Sequence, residues 1–357
     1  MRGHKAKDVN VKALVLVDRS RFEYSDVPLP EVAADEVLIA VRACGICGSD
    51  VHGIDGSTGR RRPPIIMGHE ASGVIEGVGD AVTEWRAGDR VTFDSTIYCG
   101  ECAYCHAGRV NLCDNRRVLG VSCEEYRRHG AFAEYVAVPQ RVLYRLPDAL
   151  SFEHAAMAEP VSIALHALGR SNPQPGESAL VVGAGMIGLL IVQALRIAGC
   201  APIIAVDVDP AKLAMAQSMG ATHTVLASDD VPAHVLAITG DGVQHAFEAV
   251  GISPTIANAM KSLRKGGTLT LVGNLSPEIT FPLQAAVTRE ITLYGSCASA
   301  GEYPRCLDLI ASGAIDVAPL ISAVAPLFEG SAWFDRLYNK EPGLMKVMLS
   351  PNSGVSS

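Results

Sequence analysis

Short apolar runs broken by turn residues dominate the first third of the chain. Residues 11–17 form one strand candidate, and residues 36–43 alternate, with Val37, Ile39 and Val41 on one side. Residues 68–79 and 89–93 supply two more, with turns at Gly77-Val78-Gly79-Asp80 and Ala87-Gly88-Asp89. This pattern predicts a mostly β domain with long loops. The character changes near residue 160. After the turn Pro173-Gln174-Pro175-Gly176, residues 178–182 are apolar without alternation, as expected of a strand covered on both faces. A glycine-rich turn, a helix over 186–197, a strand over 203–206 and a helix over 210–219 follow. Residues 243–247, 268–272 and 291–294 continue as strands. Such a β-α-β-α succession predicts a doubly wound parallel sheet with helices on both faces. From Ser299 the tail reads as helix and loop, with an amphipathic helix over 303–312. There is no internal repeat and no low-complexity linker.

A length of 357 residues corresponds to about two domains. Apolar residues make up 48% and charged residues 19%, a balance that supports packed cores and argues against a disordered chain. Lys and Arg number 30 against 38 for Asp and Glu, a net charge of -8. A mildly acidic surface repels phosphate backbones, so a nucleic-acid partner is not expected. The start, MRGHKAKDVN, is polar and is followed by no signal-like apolar stretch. Residues 179–198 are apolar but interrupted by glycines, Gln193 and Arg196, and no stretch reaches the roughly 18 apolar residues of a membrane span. The expected location is the cytoplasm.

The ten cysteines change the picture, because Cys99, Cys102, Cys105 and Cys113 crowd into one segment. A chain this long needs no disulfide staples. The spacing brings four thiols within reach of one tetrahedral ion, and a closed thiolate set suits a structural zinc rather than a catalytic one. A rubredoxin-like iron site usually draws on two separated CxxC knuckles instead.

Gly183-Ala184-Gly185-Met186-Ile187-Gly188 is a GxGxxG string that follows the strand ALVV and opens a helix, the context a dinucleotide site requires. Gly183 permits the tight turn, Gly185 leaves room for a pyrophosphate, and Gly188 lets the helix approach the strand. The helix N-terminus then offers unpaired N–H groups to the phosphates. Asp207 lies 19 residues after Gly188, at the end of the second strand. A carboxylate there accepts ribose hydroxyls and repels a 2′-phosphate, so NAD is expected over NADP, with Lys212 the nearest cation. Val272, Gly273 and Asn274 follow a later strand at its carboxyl end and are candidates for the nicotinamide pocket.

Cys44, Cys47, His52, His69, Glu70 and Glu159 are candidate metal or proton-handling residues, and composition alone does not choose among them. Five segments together resemble the zinc-containing medium-chain dehydrogenases: GICGSDVH (45–52), GHEASGVIEGVG (68–79), the four-cysteine lobe, EPVSIALHA (159–167) and GAGMIG (183–188). The Glu159-Pro160 pair, in place of a cysteine ligand, resembles the sorbitol, polyol and threonine dehydrogenase branch. The resemblance implies a Rossmann-type cofactor domain over 161–296. It also implies a GroES-like catalytic domain over 1–160, completed by 297–357, with a structural-zinc lobe at 95–115. It makes Cys47 and His69 ligands of a catalytic zinc. Glu70 and Glu159 share the remaining work, Glu70 favoured at rest and the reverse order left open. Ser49 and His52 become a proton route, and Asp50 a partner that orients a ligand or loop. The segment 247–251 resembles a loop near the cofactor, and Cys44 is assigned to packing.

The implied reaction is zinc-dependent oxidation of a secondary alcohol of a polyol or sugar alcohol, with hydride passing to NAD. Threonine, cyclitols and phosphorylated polyols are alternatives. Ile54, Ser57, Phe93, Leu119 and the segment near Ser296 are candidate pocket linings. Arg60, Arg61 and Arg62 read as a solvated loop, with a grip on a phosphate as the sharper alternative. A zinc-free reductase and a catalytically silent protein of the same fold are the rivals from other classes. A dimer or tetramer is implied, through the sheet edge at 291–295.

Overall fold

The computed structural model describes residues 9–123 and 126–351, and the chain forms two compact units. The polar start read above, at residues 1–8, and the tail residues 352–357 lie outside the described residues. One unit comprises 1–159, 303–312 and 317–357; the other comprises 160–302 and 313–316. The sequence reading had put these boundaries at 160/161 and 296/297. In the structure the first falls inside the helix Ala158–Ser171, which carries Glu159 in its first turn.

The first unit is built on a seven-stranded sheet. Its central strand, Glu36–Gly45, is buried along almost its whole length and runs antiparallel to Glu70–Val78 and Tyr135–Pro139. Alternation was expected there because Val37, Ile39 and Val41 face the main core. Leu38 and Ala40 are also buried, at 8% exposure each, so both faces are covered. The tail departs from the expected helix and loop. Alongside the helix Tyr303–Ala311, it contributes the strands Ile321–Pro326 and Lys346–Ser350. The latter pairs antiparallel with the central strand, Met348 opposite Gly45 and Leu349 opposite Cys44. Val347, Met348 and Leu349 are fully buried. Their short apolar run is too brief for periodicity to separate strand from helix. The four-cysteine lobe is bracketed by an antiparallel pair, Thr96–Ile97 with Arg117–Val118.

The second unit is a six-stranded parallel sheet. Its order is His223–Leu226, Ile203–Asp207, Ala179–Val182, Val243–Glu248, Leu263–Leu271, Thr292–Gly295. The sequence runs outward from the Ala179–Val182 strand and then reverses, which puts the switch point at the carboxyl end of that strand. Ala179–Val182 is buried throughout, as its unbroken apolar run required. The helices Met186–Ile197, Pro210–Ser218, Val231–Thr239 and Ser253–Ser262 connect the strands. Among the described residues, no helix is long and apolar enough to cross a membrane.

Candidate functional site

The central strand of the first unit ends at Gly45, and Cys47 caps the short helix Gly48–Val51 that follows. His69 and Glu70 stand at the start of the neighbouring strand, with Glu70 directly opposite Gly45. A Cβ at position 45 would sit 2.3 Å from Glu70 Oε2, so the missing side chain is what makes room for the carboxylate. The pairing of these two strand ends brings ligand atoms of Cys47, His69 and Glu70 within 4.8 Å of one another. Zinc bonds of about 2.0–2.3 Å place tetrahedral donors roughly 3.3–3.8 Å apart, so an ion could draw this set together by small side-chain motion.

The surroundings are charged and buried. Asp50 is fully buried and touches the backbone or side chain of both neighbours. Its Oδ2 accepts from the Cys47 N–H at 3.3 Å, and its Oδ1 lies 3.5 Å from His69 Nδ1. Arg61 donates to the same Oδ1 at 2.7 Å. Arg61 is 4% exposed, so the arginine run is not a solvated loop at its middle position; Arg60 and Arg62 alone are exposed. Burial raises the Asp50 pKa, but His69 and Arg61 outweigh it and hold the carboxyl well below its usual range. Burial opposes charge on His69, yet Asp50 and Cys47 outweigh it and raise the imidazole well above its usual value.

Lys346 was missed in the sequence. It is 2% exposed and donates to Glu70 Oε2 at 2.5 Å and to the Ile46 carbonyl at 3.0 Å. Burial lowers its pKa, but the charges of Glu70 and Cys47 more than offset this and raise it. With Oε2 engaged, Glu70 has Oε1 to offer an ion. Glu159 is partly exposed and stands outside the Cys47–His69–Glu70 group. Burial and the Glu70 charge push its carboxyl up to about 8, with His69 and Lys346 pulling the other way. Ser49 and His52 are exposed on the short helix turn, and Ser49 Oγ donates to Cys47 Sγ at 3.3 Å. Cys44 is 1% exposed, and burial lifts its thiol well above the usual value, which suits packing. Ile54, Phe93 and Leu119, expected to line a pocket, are instead members of the core at 3%, 1% and 0% exposure. Ser57 is exposed.

In the lobe, the sulfurs of Cys102 and Cys105 are 3.5 Å apart, those of Cys99 and Cys113 3.5 Å, and those of Cys99 and Cys105 3.9 Å. Zinc–sulfur bonds of about 2.3 Å imply sulfur separations of about 3.8 Å in a tetrahedron, so the four thiols fit one ion. Backbone N–H groups of Glu101 and Cys102 lower the Cys99 pKa to about 6, which favours the thiolate.

In the second unit, Gly183 has φ +97°, a conformation glycine adopts without strain. A Cβ on Gly188 would stand 1.8 Å from the Gly183 carbonyl oxygen, whereas one on Gly185 would meet nothing within 4 Å. The turn is therefore closed by Gly188 and open at Gly185, where Met186 and Ile187 begin the helix. That open space, faced by a helix N-terminus, fits a pyrophosphate. Asp207 accepts from the N–H of Ala184 at 2.7 Å through Oδ2 and from that of Asp209 at 3.0 Å through Oδ1. Its carboxylate thus ties the second strand to the glycine turn, with lone pairs left over. Glu248, within the segment 247–251 that resembles a loop near the cofactor, ends its strand fully buried. Oε1 accepts from the N–H of Val250 at 3.0 Å, the N–H of Gly251 at 2.8 Å and the Thr255 hydroxyl at 2.7 Å. The Val272–Gly273–Asn274 segment packs on this pinned loop so closely that a Cβ on Gly273 would be 2.3 Å from Val250 backbone.

Comparison with known proteins agrees with both halves. Residues 33–148 match the alcohol dehydrogenase GroES-like domain, and residues 187–312 match the zinc-binding dehydrogenase domain. The sorbitol dehydrogenase of Bacillus subtilis (strain 168) is 36% identical over 349 residues, covering 96% of this chain and 98% of that protein. A putative zinc-binding dehydrogenase from Sinorhizobium meliloti 1021, solved bound to NADP, superposes with a TM-score of 0.87 at 34% identity, covering 96% of this chain and 100% of that one. An Escherichia coli CFT073 protein described as a short chain alcohol dehydrogenase, solved with NADH, gives 0.89 at 28% identity, covering 96% and 99%. The chain belongs to the zinc-containing medium-chain dehydrogenase/reductase family, related to its sorbitol and polyol dehydrogenases, and is an NAD- and zinc-dependent oxidoreductase acting on a CH–OH group.

Proposed function

We propose that the chain oxidises a secondary alcohol of a polyol or sugar alcohol to the ketone, passing hydride to NAD. The observation that carries this reading is the cluster of Cys47, His69 and Glu70, whose ligand atoms lie within 4.8 Å of one another, with His69 and Glu70 buried and Cys47 half-buried. Zinc held there supplies a Lewis acid that lowers the pKa of an alcohol hydroxyl and stabilises negative charge on its oxygen. The remaining work belongs to the chain. Cys47 as thiolate and one carboxylate balance the dication, while His69, whose Nδ1 lies 3.5 Å from Asp50 Oδ1, adds a neutral ligand through its other nitrogen. Glu70 is fixed by Lys346, and Glu159 completes the set beside the position a water or substrate hydroxyl would take. In this reading the Ser49 hydroxyl takes up the substrate hydroxyl proton as it passes its own on, and His52, exposed on the same turn, hands a proton to solvent.

The open turn at Gly185 receives the pyrophosphate, and Val272, Gly273 and Asn274 border the nicotinamide. Relatives are solved with either dinucleotide, and Asp207 favours NAD here, because its carboxylate repels a 2′-phosphate. The resemblance to a sorbitol dehydrogenase supports the polyol class. The edge strand Thr292–Gly295, which exposes Leu293, and the preceding helix Leu283–Thr288, which exposes Leu283 and Val287, support a homo-oligomer formed through that edge. Thiols serving as ligands must be kept reduced, which supports a cytoplasmic location.

An alcohol screen with NAD and NADP, followed as absorbance of the reduced dinucleotide, tests the reading. It covers sorbitol, xylitol, galactitol, their phosphates, inositols and threonine. Turnover of a free polyol with NAD is expected. Turnover confined to threonine or a phosphate ester would reassign the substrate. Cys47→Ser is expected to abolish turnover and leave NAD affinity nearly unchanged; loss of NAD binding would refute the placement of Cys47.

A further inference from the structure

The arginine run at 60–62 resolves into two exposed side chains and one that is buried against the metal cluster. Ser122, 1% exposed, holds the backbone on both sides of Arg61: its N–H donates to the Arg60 carbonyl at 3.1 Å, and its Oγ accepts from the Arg62 N–H at 2.6 Å. The Arg61 side chain then crosses Gly53 so closely that a Cβ there would be 2.7 Å from Arg61 Cγ. It ends with Nη1 donating to the Arg60 carbonyl at 3.3 Å and Nη2 to Asp50 Oδ1 at 2.7 Å. Asp50 and Arg61 are 0% and 3% exposed at their side chains.

We propose that Arg61 is a positioning residue of the catalytic metal centre, acting through Asp50. The proposal rests on the reading of Cys47 and His69 as ligands. A single carboxylate cannot be buried beside a thiolate and a second carboxylate without a compensating charge. Arg61 provides that charge from a loop whose backbone is fixed by Ser122. Its bond to Asp50 Oδ1 fixes that carboxylate against both ligands, where it accepts from the Cys47 N–H at 3.3 Å and lies 3.5 Å from His69 Nδ1. Partners of this kind commonly set metal affinity by about 10–100-fold. The other buried cation, Lys346, is spent on Glu70 and the Ile46 carbonyl.

The test uses the full-length protein loaded with zinc or with cobalt(II). Metal release to a chelator is timed, metal per chain is counted, and the cobalt d–d spectrum reports ligand geometry. The metal of the four-cysteine lobe is the internal control. Arg61→Met is expected to speed release of one of the two metals by about 10–100-fold and to shift the d–d spectrum, with the lobe metal unchanged. Arg61→Lys, which keeps the charge, is expected to recover most of the retention. The pair Asp50→Asn with Arg61→Met leaves no buried charge unpaired, so it is expected to melt near the parent yet still release the metal at least 10-fold faster. Parent-like release and spectrum in Arg61→Met or in the double variant would overturn the proposal. So would Arg61→Lys releasing metal as fast as the double variant. Failure of the underlying ligand reading shows separately: Cys47→Ser would then keep both metals.

Discussion

Lys346→Met removes one charge from a buried ion pair at the site and leaves the aliphatic stem. Glu70, 1% exposed, loses its partner at 2.5 Å, and the Ile46 carbonyl loses its donor at 3.0 Å. Removing one member of a buried pair costs about 3–5 kcal/mol, chiefly because the remaining charge is stranded. For a unit of this size each kcal/mol corresponds to about 2–4 °C, so the melting temperature of the first unit is expected to fall by roughly 6–20 °C. Circular dichroism and tryptophan fluorescence read this directly, since Trp85 and Trp333 both lie in the first unit. The sign of the metal dependence follows from the same geometry. A cation at the cluster partly replaces the lysine charge beside Glu70, so the loss is larger in chelator-stripped protein than in zinc-loaded protein. Adding Glu70→Gln to Lys346→Met removes the stranded charge and is expected to recover more than half of the loss. A fall under about 2 °C in the stripped protein, or no recovery in the double variant, would refute the argument that this pair ties the tail strand to the metal cluster.

Gly188→Ala forces a methyl group against the Gly183 carbonyl at 1.8 Å and distorts the turn. NADH affinity, followed by fluorescence titration, is expected to fall at least about 10-fold while metal content is unchanged, since overpacking costs about 1–3 kcal/mol. Asp207→Ala frees the Ala184 and Asp209 amides and removes the ribose acceptor, so NAD is expected to weaken far more than NADP; equal losses would mean that the ribose is read elsewhere. Cys102→Ser removes one thiolate from the lobe and is expected to lower metal content to one per chain, with the surviving metal that of the Cys47 cluster. A count of two would show that the lobe does not hold its ion through this thiol.

The cofactor unit was largely legible because its signals are local. A strand without alternation, a glycine turn and a helix follow one another within residues 179–197, and each constrains the next. The helices Val231–Thr239 and Ser253–Ser262 escaped notice, although both carry a proline in the first turn, a usable start signal. In the first unit, residues 36–43 read as a strand, but their burial on both faces depends on distant segments packed on the sheet, the helix Phe152–Ala156 among them. Nothing within the segment itself records those partners.

The same distinction explains the candidate site. The four cysteines announce their geometry by spacing, and Cys47, His69 and Glu70 could at least be nominated by residue type. Arg61 and Lys346 could not, because a basic residue is exposed by default and only its partner reveals otherwise. Lys346 is 276 positions from Glu70, and it reaches that carboxylate because Met348 and Leu349 place the tail strand beside Gly45 and Cys44. Arg61 is 11 positions from Asp50, yet the run Arg60-Arg61-Arg62 looks uniformly solvated until the chain turns its middle member inward. Both cations lie against carboxylates that a metal cluster would otherwise leave as excess negative charge. Pairing Asp50 with Arg61 and Glu70 with Lys346 cancels those two carboxylates. An incoming dication then meets a thiolate and a donor set whose charge is already limited, which is the condition under which it stays electrophilic toward a substrate oxygen.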